Sequence, residues 1–213
     1  MAGAVTARFH YPLPRRALPA EMARELADAL VAVDARYTSA MTSIAQEQRD
    51  WPREDGGWSV HQILEHIVRT NEAYLSRLRQ LADEMMSSPS TPEPWRGRVF
   101  AQWLAKSLTM TLPMRAPKSI EPGPSPRADV LQAMVATHRE VRALMQRCSA
   151  TDWTAGYMSS PFAAMLRLNF GDACVVILRH SERHADQMER LVESFGDARH
   201  RGSRRERLSI GQG

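Results

Sequence analysis

Apolar residues recur at threes and fours in four stretches of the chain, the period of helices that bury one face. The first stretch follows Pro19 and runs through Met22, Leu26, Leu30, Val33, Tyr37, Met41 and Ile44. It predicts a helix to about Gln48, with the proline in its first turn. A proline and a Gly-Gly pair between Trp51 and Gly57 then break the period. The second helix has the clearest start: Ser59 and Gln62 form a capping-box pattern, and Trp58 and Ile63 stand where a hydrophobic staple would. Its stripe is Ile63, Ile67, Tyr74, Leu78 and Leu81. A third helix, with Ser125-Pro126 as cap and first turn, carries Leu131, Met134, His138, Val141 and Met145. A fourth begins near Asn169, has Asp172 in its first turn, and follows Phe170, Ala173, Ile177, His180, His184, Gln187 and Leu191.

Between the second and third helices, Met85 to Pro124 is dense in proline and serine and reads as a long crossover, with a short helix from Gly97 to Leu108. Thr151 to Pro161 reads as a loop, and no segment alternates long enough to predict a sheet. The pattern therefore predicts an all-α four-helix bundle with one long connection. It divides into an extended lead-in at residues 1–18, a helical domain at 19–195 and a flexible arginine-rich tail at 196–213.

Composition changes this picture little. The chain has 213 residues, 43% hydrophobic and 24% charged, enough for one substantial core. Cys148 and Cys174 lie in separate helical patterns without CxxC spacing, and no secretory signal precedes them, so they read as reduced core residues of a cytoplasmic protein. The apolar run Ala173 to Leu178 is far short of the roughly 20 residues that span a bilayer, so no membrane partner is expected. The net charge of +4 is concentrated at Arg199, Arg201, Arg204, Arg205 and Arg207. Without interleaved aromatics these offer only sequence-independent attraction, and nucleic acid is not the expected partner.

The candidate chemistry lies on helices two and four. His180 and His184, four apart, point from one helical face and can share a single ion; two separately hydrogen-bonded core histidines are the alternative. The capping box fixes the register that turns His66 inward and His61, with Glu65 and Glu72, toward the wetter side. His66, His180 and His184 then form a three-imidazole site with open coordination positions, which suits catalysis better than structural locking. Gln187, one turn beyond His184, could support the site or line its pocket, and Arg183 could reach an anionic substrate or form a surface ion pair. Glu182 is expected in solvent. His138 needs only one hydrogen-bond partner at a bundle position and reads as a core residue, with a ligand role as the alternative.

Trp58-Ser59 leading a helix with His66 eight residues after the tryptophan, and His180-xxx-His184-xx-Gln187 ahead of Met188 and Leu191, resemble the DinB/YfiT-like superfamily over most of residues 19–195. The resemblance implies an up-down-down-up bundle and His66, His180 and His184 as ligands of a divalent metal, nickel or zinc. It also implies frequent homodimers and a small-molecule substrate. Some members resemble thiol S-transferases, implying a low-molecular-weight thiol; hydrolysis by an activated water is equally compatible with three open-site histidines. The alternative is a non-catalytic metal-binding or stress-related scaffold.

Overall fold

The computed structural model describes residues 16–53, 56–108 and 116–210, with side chains through residue 196. Most of the lead-in predicted at 1–18, and the side chains of the arginine-rich tail, thus lie outside the described residues.

Helix α1 (Pro19–Thr42) buries the predicted stripe from Met22 through Met41, and Glu21 reaches back to the Leu18 amide at 3.1 Å. It stops six residues before the expected Gln48. The hydroxyls of Thr42 and Ser43 bond back to carbonyls of the preceding turn, and the chain tightens into a 3₁₀ turn at Gln46–Asp50. Helix α2 (Val60–Ser87) starts as predicted: Ser59 Oγ accepts from the Gln62 amide at 3.3 Å, and Gln62 Oε1 accepts from the Ser59 amide at 3.0 Å. Within the crossover lies α3 (Val99–Leu108), as expected.

Helix α4 (Val130–Arg147) begins later than Ser125-Pro126. The intervening Arg127 instead lays its guanidinium on Glu65 at 2.9 Å and Glu72 at 3.3 Å, drawing the segment across α2. Glu65 is consequently buried, although the sequence placed it on a wet face. An unforeseen antiparallel hairpin follows, β1 (Met158–Ser160) and β2 (Ala163–Leu168), with an irregularity between Ser159 and Ser160. Helix α5 (Phe170–Ile210) opens on a reciprocal box: the Asp172 amide donates to Asn169 Oδ1 at 2.8 Å, and the Asn169 amide to Asp172 Oδ2 at 3.1 Å. Trp95 Nε1 also donates to Asn169 Oδ1, at 3.0 Å, and the Arg98 amide to Asp172, so the crossover is tied to the start of α5.

Helices α1, α2, α4 and α5 form a four-helix bundle in which α1 packs on α4 and α5, and α2 on the same two. The pairings give the directions. Asn71 meets Thr137, Arg79 meets Glu140 and Asp83 meets Arg147, so α2 and α4 run the same way. Arg36 meets Asp186, and Ser43 shares a cleft with Glu193, so α1 and α5 also run together. Asp34 meets His138 while Met41 neighbours Leu131, setting α1 against α4. The order is up-down-down-up. The long crossover is what allows α2 and α4 to be parallel neighbours, since a short turn would force them antiparallel. Among the described residues no helix is long and apolar enough to cross a membrane.

Candidate metal centre

The register set by the Ser59 box brings His66 to the flank of α5. There His66 Nε2 lies 3.1 Å from His180 Nε2, and His184 Nε2 lies 3.1 Å from the same atom. All three are shielded from solvent: His66 and His184 are buried and His180 nearly so. Trp58 covers the cluster, its ring centroid 4.7 Å from that of His66 and 6.5 Å from that of His184. Its role as a staple to Ile63 was legible, but not its contact with the histidines.

The outer nitrogens determine what the inner ones can do. His66 Nδ1 stands 2.9 Å from the Ile120 carbonyl, which only accepts, so this nitrogen carries the hydrogen and Nε2 presents a lone pair. His184 Nδ1 stands 2.8 Å from Gln187 Oε1, with the same consequence. His180 Nδ1 is buried without a hydrogen-bond partner. Either tautomer of His180 leaves the cluster short. With hydrogen on Nε2 it serves one facing lone pair, neglects the other and buries a bare Nδ1. With hydrogen on Nδ1, three lone pairs face one another.

A cation among the three Nε2 atoms would satisfy them together. Two nitrogens each about 2.1 Å from one ion are about 3 to 3.4 Å apart, which the two 3.1 Å separations match. Among the described residues the donor set holds three imidazoles and no carboxylate, which suits a borderline divalent metal. Proton binding is not the substitute. Burial holds His180 well below the ordinary imidazole range, reinforced by His184 and His66; burial and then His66 bring His184 down to about 3; and burial lowers His66. Three neutral imidazoles are the form that binds metal.

The other candidates separate cleanly. His138 lies in the bundle core, its Nδ1 2.6 Å from Asp34 and its Nε2 2.9 Å from Ser181 Oγ, and takes no part in the cluster. His61 is half-buried against Asp50 at 2.8 Å, not turned fully to water. Glu182, expected in solvent, is 1% exposed and accepts from Arg179 at 2.6 Å. Both cysteines are free thiols whose pKa burial pushes up, which makes them poor nucleophiles.

Beside the cluster opens a cavity of about 940 Å³, lined by α2, α3, the hairpin and α5. Sequence reasoning left two of its walls without a role. The α3 wall, Phe100, Trp103 and Leu104, belongs to the crossover, and Phe162 belongs to the hairpin turn.

A sequence profile described as the DinB superfamily matches residues 29–188. Among solved structures the fold is similar to YfiT from Bacillus subtilis, described as a probable metal-dependent hydrolase with an unusual four-helix bundle topology. The TM-score is 0.51 at 18% identity, over 90% of this chain and 99% of that one. No curated protein matches the chain.

Proposed function

We propose, from the premise that the chain belongs to the DinB superfamily, that this protein is a divalent-metal-dependent enzyme whose ion is held by His66, His180 and His184. The observation that carries the reading is the convergence of three Nε2 atoms, two of them obliged to present lone pairs by Ile120 and Gln187. A bound divalent ion with three protein ligands and open positions supplies Lewis acidity and lowers the pKa of a water or thiol that shares it. The reaction is hydrolysis or thiol S-transfer, and nickel and zinc are the metals we favour. The description of YfiT as a probable metal-dependent hydrolase accords with the first reaction; the resemblance of some family members to thiol S-transferases speaks for the second. A cytoplasmic homodimer completes the proposal.

The chain's own part is positioning. Ile120 and Gln187 fix two imidazole tautomers and ring orientations. Trp58 packs against the cluster and lines the same cavity, which admits a small molecule.

Untagged protein purified without chelator is expected to carry about one divalent ion per chain by elemental analysis. His180→Ala and His184→Ala are expected to lose it. Metal content unchanged in both variants removes these residues from the site. Turnover of ester or thiol-plus-electrophile substrates should require the metal; a metal-stabilised protein that turns over none of them would be a scaffold.

A further inference from the structure

The cavity beside the histidines has two walls of opposite character. On α5, His180, Arg183, His184, Gln187 and Arg190 fall at helical spacing along one stripe that faces it. Arg183 Nη1 also reaches the Leu108 carbonyl at 3.5 Å, placing its guanidinium between the histidines and the C-terminal end of α3. Arg190 lines the cavity with Arg183, so two guanidinium groups stand along this stripe. Asp186 also lines the cavity, and its carboxylate accepts from Arg36 at 2.5 Å, a guanidinium it shares with Glu189. The lining as a whole holds Arg53, Arg183 and Arg190 against Glu121 and Asp186, an excess of one cationic side chain.

The facing wall is apolar and wet. Helix α3 buries Ala101, Ala105 and Leu108, yet presents Phe100 and Trp103 to the cavity at 59% and 60% exposure. Their rings lie 5.3 Å apart, making one continuous aromatic surface. Phe162, packed edge-on against Tyr74 at 5.6 Å, continues it from the hairpin. A cavity of about 940 Å³ has room for a small molecule. An aromatic wall left in water faces a cationic stripe, and their natural complement is a ligand with both characters.

We propose that this cavity takes an amphipathic small molecule, with a ring-bearing apolar body against Phe100, Trp103 and Phe162 and an oxyanionic group on Arg183 beside the histidines. The proposal rests on the metal-centre reading for what then happens to the ligand; binding itself does not need the ion.

The test uses full-length protein stripped with EDTA, and two fluorescent probes of similar ring size. These are anilinonaphthalene sulfonate, which carries an anion, and neutral N-phenylnaphthylamine. Wild type is expected to bind both saturably, the sulfonate about tenfold more tightly. Arg183→Gln should weaken the sulfonate about tenfold and the neutral probe less than about twofold, while Arg183→Lys keeps most of the sulfonate affinity. Trp103→Ser should weaken both probes, and because Trp103 is exposed the near-ultraviolet dichroism of the core should persist. Equal affinity for the two probes, sulfonate binding indifferent to Arg183→Gln, or binding of both indifferent to Trp103→Ser overturns the proposal. If the histidines bind no metal these affinities are untouched, and if the probes fail the metal analysis still stands, so the two failures are distinguishable.

Discussion

Gln187 Oε1 lies 2.8 Å from His184 Nδ1, one helical turn along the face that presents the histidine to the cluster. An acceptor at that point keeps the hydrogen on Nδ1 and the lone pair on Nε2, and holds the ring plane toward His180. Gln187→Leu removes the acceptor and keeps the bulk. Metal affinity, measured by competition with a chelator of known strength, should fall about 10- to 100-fold, and metal-free stability should fall by about 1 to 3 kcal/mol because the buried Nδ1 loses its partner. Unchanged affinity would reduce Gln187 to a cavity-lining residue.

The clearest sequence signals were those made by local chemistry. Ser59 and Gln62 announce the start of α2 through atoms three residues apart, so the inward turn of His66 could be read before any packing was known. The i, i+4 pair His180 and His184 is equally local. Tertiary partners carry no such signal. The Ile120 carbonyl that orients His66 is a backbone atom any residue could supply. Charge on a helix face usually means solvent, yet Glu182 and Glu65 are each buried with an arginine partner. The hairpin carries little signal, because β1 has only three residues, Ala163, Ala164 and Met165 of β2 all face solvent, and alternation is confined to Leu166, Arg167 and Leu168.

Gly171 sits in the first turn of α5 directly under the Trp95 indole. A Cβ there would overlap indole Nε1 and Cδ1, and Trp95 cannot withdraw without losing its 3.0 Å bond to Asn169. Alanine is normally the better helix former, by about 1 kcal/mol. Here Gly171→Ala is instead expected to destabilise by about 1 to 3 kcal/mol, the usual cost of overpacking. Denaturant unfolding decides it, and a stabilised variant would mean that the crossover docks elsewhere in solution.

Asp172 makes stability depend on pH in a direction unusual for a carboxylate. Burial pushes it up from 3.8 to about 6, against the amide hydrogen bonds of Asn169 and Arg98. Between these values the folded protein holds a proton that the unfolded chain has released, so this group's contribution is full below about pH 4 and is lost as the pH rises through about 6. Asp172→Asn keeps an acceptor for the Asn169 amide but cannot ionise. Relative to that variant, wild type should lose up to about 2 to 3 kcal/mol between about pH 4 and pH 7. A difference that stays level, or grows in favour of wild type, contradicts the assignment.

Ser181 follows His180 in sequence yet belongs to a different network. Its Oγ is 2.9 Å from His138 Nε2, His138 Nδ1 is 2.6 Å from Asp34, and the Ser181 carbonyl accepts from Tyr37 at 2.6 Å. Asp, His and Ser in this order resemble a nucleophilic relay, but Ser181 and His138 are both 0% exposed, so no substrate can reach the hydroxyl. The chain of bonds ties α1, α4 and α5 together instead. Ser181→Ala leaves His138 Nε2 buried without a partner, which should cost about 1 to 3 kcal/mol of stability. Metal stoichiometry should stay at that of wild type and affinity should shift by less than about threefold, because the histidine cluster keeps its own partners at Ile120 and Gln187. Thermal unfolding and metal titration of the same preparation read both quantities. Loss of metal without loss of stability would place Ser181 in the site's support, and not in the bundle's.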